Sequence, residues 1–425
     1  MQGVFAYPFR NHNAESKRTI LFQFMITIFL VFAWSCSPVP DLLRKGDEFA
    51  KEGKLDQAIS AYLEADENEE ESAEGLCRAG EIYIKIGRLK DAKKTFTAAL
   101  KKAPKTAKAY VGLARVFLAM GLKPAAIKAL DRAMDLDPLL PEPYFMKGML
   151  FSRENKFEEA LDMFNRAIKR KPRFSKAHLR KGDLFFSRGK LDQAMKSYKL
   201  AVATDPANME ARIQIGRTYM LAKKFDKART VLRDVARKSR SNPWAHFYLA
   251  EVLRAEGDIG RAIMEYQKAL RNNKRLGIAH VRMGEIFETQ TLFNKAIKEY
   301  RRAIKAQPDL VEGYLHLANS ELARGRKKSA RRYLERARRL APDNLAVKAM
   351  LGKLYFEQRA YSKAVNVLQE VLQTDYMNNE AHFILGKAYL GMNDLERATA
   401  EYNALVLAND QRADMLLKLI RKKQR

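Results

Sequence analysis

The fold of this chain is decided by residues 73–106, which read AEGLCRAGEIYIKIGRLKDAKKTFTAALKKAPKT. In the first half, apolar residues such as Ala79 and Tyr83 recur at three- and four-residue spacing, which is typical of an amphipathic helix. Gly87 interrupts that periodicity. Pro104 ends a second helical stretch, because proline lacks an amide hydrogen and clashes with the preceding turn. The segment therefore predicts two helices joined by a short turn.

The same pattern returns along the chain with a period of 34 residues. An alanine marks one position in eleven successive units: Ala58, Ala92, Ala126, Ala160, Ala194, Ala228, Ala262, Ala296, Ala330, Ala364 and Ala398. Twelve residues before each alanine lies a second small residue: Gly46, Gly80, Ala114, Gly148, Gly182, Gly216, Ala250, Gly284, Ala318, Gly352 and Gly386. A fixed period without insertions predicts a solenoid of stacked helical hairpins. We expect Gly80 and Ala92 to face each other, because small residues let helix axes approach closely.

Large side chains are expected to fill the space around these contacts. Most units carry an aromatic residue three positions after the first small residue: Phe49, Tyr83, Phe117, Phe151, Phe185, Tyr219, Phe287, Tyr355 and Tyr389. Helical spacing alone accounts for this series, so we interpret its members as core residues.

The order of small, aromatic, Gly, Ala, aromatic, Ala and Pro positions resembles the tetratricopeptide repeat. The resemblance covers residues 39–425, with eleven units over 39–412 and one capping helix over 413–425. The capping helix is expected to be apolar on one side, through Met415, Leu416, Leu419 and Ile420. The resemblance implies an all-α, right-handed superhelical solenoid.

Outside the repeats and the cap, the sequence leaves only residues 1–38, too few for a catalytic domain. The whole sequence contains no glycine-rich phosphate loop, paired-cysteine metal site or nucleophile motif. Four histidines share the fourth position of their units: His178, His246, His280 and His382. One histidine per unit favours a structural role against a neighbouring helix, and Cys77 is expected to be a small buried or groove residue. The sequence thus predicts no catalytic residue, no cofactor and no metal site.

Residues 1–38 differ in composition from the repeats. A basic pair at 17–18 precedes an apolar run over 20–34, which is shorter than the ~20 residues that span a bilayer. Residues 33–36, AWSC, resemble a bacterial lipobox, in which the cysteine is lipidated and becomes the mature N-terminus. The resemblance makes Cys36 the candidate lipidation site.

Three interpretations of this leader stay open: a lipoprotein signal, an uncleaved single-pass anchor in the inner membrane, and a fortuitous apolar segment. Under the first two, the basic pair favours an orientation with the N-terminus on the cytoplasmic side. We therefore expect a protein of the bacterial cell envelope that is attached to a membrane and faces the periplasm.

The formal net charge of +29 is unevenly distributed. Residues 39–72 carry four Lys or Arg against eleven Asp or Glu, whereas the later repeats are basic. The densest positive stretch, the predicted basic face, comprises Arg324, Arg326, Lys327, Lys328, Arg331, Arg332, Arg336, Arg338 and Arg339. Such a field attracts anionic surfaces within a Debye length, ~8 Å at physiological salt. The alternatives are a face that only keeps the solenoid soluble and a site for anionic lipid or lipopolysaccharide, which the leader favours over nucleic acid.

Resemblance to tetratricopeptide arrays implies a concave groove lined by the first helix of each unit. The residues placed in this partner groove are Phe145, Met149, Leu179, Phe186, Ile213, Met220, Trp244 and Phe247. They form an apolar strip over 141–276 that is expected to be partly open to water and to bind an apolar segment or an amphipathic helix. The alternatives are that these residues partly pack between successive units, or that the groove closes on its own capping helix. The family's clamp for two carboxylates is not matched, because only Asn319 fits its ninth position.

These observations predict a non-catalytic scaffold for protein–protein interactions, tethered to a membrane on the periplasmic side. It would support assembly of a pilus, secretion, polysaccharide or outer-membrane complex. The competing hypotheses are a binder of an anionic surface or polymer through the basic face, and an adaptor subunit of an enzyme encoded elsewhere. Salt separates the first two, since polymer binding weakens steeply with salt and apolar binding changes little.

Overall fold

The structure is a computed structural model that describes residues 39–69 and 71–424. Over these residues it contains 23 helices and no strand. The first 22 helices form consecutive antiparallel pairs, one pair for each unit of the sequence, so the predicted all-α fold of repeated helical hairpins is confirmed. The chain divides into two compact units, of which the first ends at Ala207 and the second begins at Asn208.

The first unit contains five hairpins in the part that the structure describes. Their helices are α1 (Val39–Glu52), α2 (Leu55–Glu67), α3 (Glu74–Lys85), α4 (Leu89–Lys102), α5 (Ala107–Ala119), α6 (Lys123–Leu136), α7 (Pro141–Arg153), α8 (Phe157–Arg170), α9 (Ser175–Ser187) and α10 (Leu191–Thr204). Within each hairpin the turn spans only a few residues. Gly87 takes a φ of 79° there, which a residue without a β-carbon adopts at little cost.

The second unit contains six hairpins and a final helix, through residue 424. Its helices are α11 (Met209–Leu221), α12 (Phe225–Lys238), α13 (Pro243–Ala255), α14 (Ile259–Asn272), α15 (Gly277–Thr289), α16 (Phe293–Ala306), α17 (Val311–Ala323), α18 (Lys327–Leu340), α19 (Leu345–Glu357), α20 (Tyr361–Thr374), α21 (Asn379–Gly391), α22 (Leu395–Leu407) and α23 (Arg412–Gln424). The final helix α23 packs against α21 and α22.

The apolar side of α23 is narrower than the sequence suggested. Leu416 and Ile420 are buried, but Met415 is 56% exposed and Leu419 is 40% exposed. Leu416 and Ile420 are four residues apart and therefore share one face of the helix. Met415 and Leu419 each precede one of them by a single residue, so their side chains point away from that face. Of the four residues expected on the apolar side, Leu416 and Ile420 therefore pack inward, and Met415 and Leu419 remain exposed.

The centre of each hairpin is filled by a side chain from its second helix. The ring of Phe96 from α4 lies against Gly80 of α3. A methyl group at Gly80 would lie 2.6 Å from that ring. The small residue of the first helix thus makes room for a large side chain of the second helix.

This filling residue recurs sixteen positions after the first small residue in ten successive units. The series is almost completely buried throughout: Tyr62, Phe96, Leu130, Phe164, Tyr198, Leu232, Tyr266, Tyr300, Leu334 and Leu368. The alanines at the 34-residue period are also buried, at 0–1% exposure, where the two helices of each hairpin cross. Each hairpin core is therefore built from one large residue and two small ones.

The aromatic series that the sequence assigned to the core lies mostly at its edge. Phe185, Tyr355 and Tyr389 are buried, whereas the other members are partly exposed. The edge rings contact cations of the neighbouring turns, as when the Arg88 guanidinium lies 4.9 Å from the centre of the Tyr83 ring. Near the end of the first helix, one side of the ring faces the hairpin and the other faces solvent and a basic turn.

This packing predicts that Gly284→Val destabilises the fold while Gly260→Val does not. A β-carbon at Gly284 would lie 2.3 Å from the Tyr300 ring, whereas one at Gly260 would have no neighbour within 4 Å. Gly284 lies in the interior of α15 and Gly260 in the first turn of α14, so Gly260→Val adds the same side chain at a helical position without a packing neighbour. Overpacking should lower the free energy of unfolding by about 1–3 kcal/mol for Gly284→Val, against less than about 0.5 kcal/mol for Gly260→Val. Urea unfolding followed by circular dichroism measures both, and equal losses would contradict the packing.

Candidate functional site

The residues assigned to the partner groove divide into an open and a buried group. Phe145, Met149, Phe186 and Met220 are half-buried, and Trp244 is 43% exposed. Side chains of this group remain available, at least in part, for contact with a partner.

Leu179, Ile213 and Phe247 are 2–5% exposed, so the expectation that they would be partly open to water was wrong. They occupy the fifth position of their first helices, three residues before the small residue that faces the second helix. Because positions three apart share a helix face, these side chains point into their hairpins, and the half-buried Phe145 at the same position of α7 also packs against its hairpin core. The Phe247 ring accordingly lies 5.7 Å from the ring of Tyr266, the filling residue of its own unit. These three residues belong to the core.

A cleft of about 420 Å³ lies along the first helices α17, α19 and α21 of the second unit. Its apolar lining comprises Leu322, Ala349, Met350, Leu354, Leu368, Ala381 and Ile384. Leu354 and Ile384 are buried and form part of the core, whereas Leu322 and Met350 are half-buried and face the opening. We call this space the inner cleft. Sequence reasoning missed it, because it placed the apolar strip in earlier units.

Two ion pairs border the inner cleft. Lys327 Nζ lies 3.0 Å from Glu357 Oε2, and Lys353 Nζ lies 3.0 Å from Glu380 Oε1. The Lys353 and Glu380 side chains are each more than half exposed, so their pair adds little stability. Such pairs can open and re-form with a partner's charges at small cost. The cleft thus combines an apolar floor with an adaptable charged rim.

A network of charged side chains covers the first helices α13, α15 and α17. Arg282 Nη1 donates to Glu285 Oε1 at 2.7 Å and to Glu312 Oε1 at 2.9 Å. Arg254 Nη1 donates to Glu285 Oε2 at 3.1 Å. Burial opposes ionisation of Glu285, but the hydrogen bond from His316 and the charge of Arg282 outweigh it and lower the pKa of that carboxyl.

The carboxylates of Glu285 and Glu312 and the ring of His316 offer atoms within 4.8 Å of one another, a spacing that could suit a metal. The Arg282 guanidinium already donates hydrogen bonds to both carboxylates. A divalent cation would have to displace this guanidinium or lie beside its charge. The group is best described as part of the ion-pair network.

The repeated histidines connect neighbouring helices, in agreement with the structural role expected for them. His246 Nδ1 lies 2.7 Å from Glu265 Oε2, and its Nε2 lies 3.1 Å from the carbonyl oxygen of Arg240. His382 makes the same two contacts, with Glu401 and with the carbonyl oxygen of Tyr376. Both partners of each ring are oxygen atoms that can accept a hydrogen bond. Each ring thereby joins the end of one unit to both helices of the next.

Cys77 is buried at 6% exposure. Burial raises the pKa of its thiol to about 12, and the nearby Glu74 charge adds to the shift. The thiol therefore stays protonated at neutral pH, which disfavours nucleophilic chemistry at this position.

Most members of the predicted basic face lie on α18 or in the turn before it. Lys327, Arg331 and Arg338 form ion pairs with glutamates, Arg326 lies 3.7 Å from Glu321, and Arg324 donates to the side-chain oxygen of Asn294. The remaining members are exposed and have no ion pair within the described ranges: Lys328, Arg332, Arg336 and Arg339. Their spacing places all four on one side of the helix.

The leader over 1–38, with the candidate lipidation site Cys36, lies outside the described residues. Among the helices that the structure does describe, none combines the length and the apolar character needed to cross a membrane.

Comparison with known proteins defines the family. The tetratricopeptide repeat profile matches residues 77–141, 145–208, 281–344 and 349–414, which together make up more than half of the chain. A second profile of the same repeat matches residues 185–246. The chain belongs to the tetratricopeptide repeat family and is a scaffold for protein–protein interactions.

Solved structures with a similar fold include Pseudomonas aeruginosa PilF, at 22% identity and a TM-score of 0.42 over 46% of this chain and 90% of that chain. Yeast Tom70 is similar at 14% identity and a TM-score of 0.47, over 91% of this chain and 95% of that chain. The Cut9–Hcn1 hetero-tetramer of the APC/C is similar at 12% identity and a TM-score of 0.40, over 93% of this chain and 98% of that chain. No curated protein sequence matches the chain.

Proposed function

We propose that this protein is a non-catalytic, membrane-tethered scaffold that holds a protein partner in its inner cleft. The observation that carries the proposal is the cleft itself, where half-buried Leu322 and Met350 face an opening of about 420 Å³ between successive first helices. An apolar segment or one face of an amphipathic helix fits such a site, because it would cover these side chains while its polar side meets the charged rim.

The half-exposed Phe145, Met149, Phe186, Met220 and Trp244 remain a second candidate surface for the same kind of partner. They are spread over both compact units, however, whereas the inner cleft lies within one of them. The inner cleft is therefore the primary proposal.

Replacing both open apolar residues, Leu322→Ser with Met350→Ser, should weaken partner binding while the fold survives. Burying one such side chain contributes roughly 1.5–3 kcal/mol, so loss of both should weaken binding by about a hundredfold or more. The measurement compares partners retained from envelope extracts by the wild-type and variant chains, with helicity followed by circular dichroism.

The matched control is Met264→Ser with Leu200→Ser, since both residues are large, apolar and more than half exposed away from the cleft. This control should keep the partners. Undiminished retention by the cleft variant, or equal loss in both variants, would count against the inner cleft.

We further propose that the leader attaches the scaffold to a bacterial envelope membrane, with the repeats in the periplasm. The basic pair, the apolar run and the lipobox-like residues 33–36 support this assignment. A tether would hold partners at the membrane, where a pilus, secretion, polysaccharide or outer-membrane complex is assembled. Retention of the leader as a single-pass anchor is the alternative.

If Cys36 carries lipid, Cys36→Ala should abolish acyl labelling and leave an unprocessed precursor or a soluble chain. Several acyl chains on one cysteine hold a protein stably on a bilayer, whereas one chain binds only marginally. Intact mass and labelling with a fatty acid measure this directly, and Cys77→Ala is the control. A mature chain that begins before Cys36 and carries no lipid mass would favour the uncleaved anchor.

A further inference from the structure

A second cleft, which we call the basic cleft, lies on another surface of the second unit. It has a volume of about 500 Å³ and is bordered by α12 on one side and α14 on the other. Buried Ala236, His246 and Leu249 contribute to its floor. Five cationic side chains line it: Arg233, Arg237, Arg240, Lys268 and Arg271.

Three of these cations have no counter-charge. Arg237 lies 3.2 Å from Asp234, and Lys268 lies 2.6 Å from Glu265, the one acidic residue of the lining. Burial opposes ionisation of Glu265, but hydrogen bonds from His246 and Lys268 outweigh it and lower the pKa of that carboxyl. Arg233, Arg240 and Arg271 are exposed and form no ion pair with any residue in 39–69 or 71–424. The cleft thus has an excess of guanidinium groups in reach of a ligand.

The same cationic register continues into the next two units. One period after the basic cleft, the equivalent positions hold Gln267, Arg271, Lys274, Arg302 and Lys305. Two periods after it, they hold Arg301, Lys305, Pro308, Arg336 and Arg339. A further period on, the positions hold Glu335, Arg339, Pro342, Glu370 and Gln373, and the positive excess ends. An extended ligand, rather than a single small anion, matches a pattern that repeats in this way.

We propose that the basic cleft and its continuation bind an acidic polypeptide segment in which carboxylates alternate with aliphatic side chains. Guanidinium groups on both sides suit carboxylates, with which arginine forms paired hydrogen bonds. Leu249 and Ala236 in the floor suit an aliphatic side chain. The lining contains no aromatic residue apart from the fully hydrogen-bonded His246, whereas sites for single-stranded nucleic acid stack bases on aromatic rings.

The test is binding of a fluorescent synthetic peptide of repeating Glu-Glu-Leu to the full chain in a non-ionic detergent, followed by anisotropy at low salt. The cleft variant combines Arg233→Gln, Arg240→Gln and Arg271→Gln. The control variant removes the same charge from exposed positions of the first unit that form no ion pair within the described residues, through Lys94→Gln, Lys128→Gln and Lys196→Gln. We expect about tenfold weaker binding for the cleft variant and less than about threefold for the control.

Equal weakening in both variants would mean that the peptide responds only to the overall positive charge, and this would overturn the proposal. Unchanged binding in the cleft variant would also overturn it. A peptide with serine in place of leucine should bind more weakly. Equal affinity of the two peptides would show that the apolar floor of the cleft does not contribute to binding. Tighter binding of a single-stranded DNA oligonucleotide through the same three arginines would assign the cleft to nucleic acid instead. Leu322→Ser with Met350→Ser should leave peptide binding unchanged, so this proposal stands or falls independently of the inner cleft.

Discussion

The packing of one large side chain against a small residue is the interaction on which the rest of the structure depends. Phe96 of α4 is completely buried, and its ring lies against Gly80 of its own hairpin and Gly112 of the next. One ring therefore holds two helices together and also joins successive hairpins. Because each repeat contacts mainly its neighbours, the stability of a solenoid is approximately a sum of such local terms. Leucine or tyrosine takes the place of Phe96 in other units without a change in the period.

Because few residues build each hairpin core, most of the helix surface can serve other roles. The first helices can carry an apolar cleft with a charged rim around Met350, and the second helices can carry unpaired arginines such as Arg233. Neither Met350 nor the unpaired arginines are filling residues, so they can be changed without losing the hairpins. The fold sets where such surfaces occur, while their chemistry is free to vary between members of the family.

The period of the sequence was enough to predict the helices, their pairing and the buried alanines, because small residues at a fixed spacing have one simple structural explanation. It was not enough to tell which large residue fills each hairpin. Tyr83 and Phe96 look equally apolar in the sequence, and only the crossing of the helices places Phe96 at the centre. Phe247 was assigned to the groove for the same reason, although its helix face points inward. The basic cleft was missed because Arg233 and Arg271 lie on helices of different units.

The most direct test of this account is a double-mutant cycle of Gly80→Val and Phe96→Ala, with the free energy of unfolding measured by urea titration. Each single change should be costly, by overpacking in the first case and by a cavity in the second. In the double variant the valine enters space that the ring has vacated. The account predicts a double variant more stable than the sum of the single losses allows, by about 1 kcal/mol or more. Additive losses would contradict it, because they would mean that the glycine and the ring do not share one space.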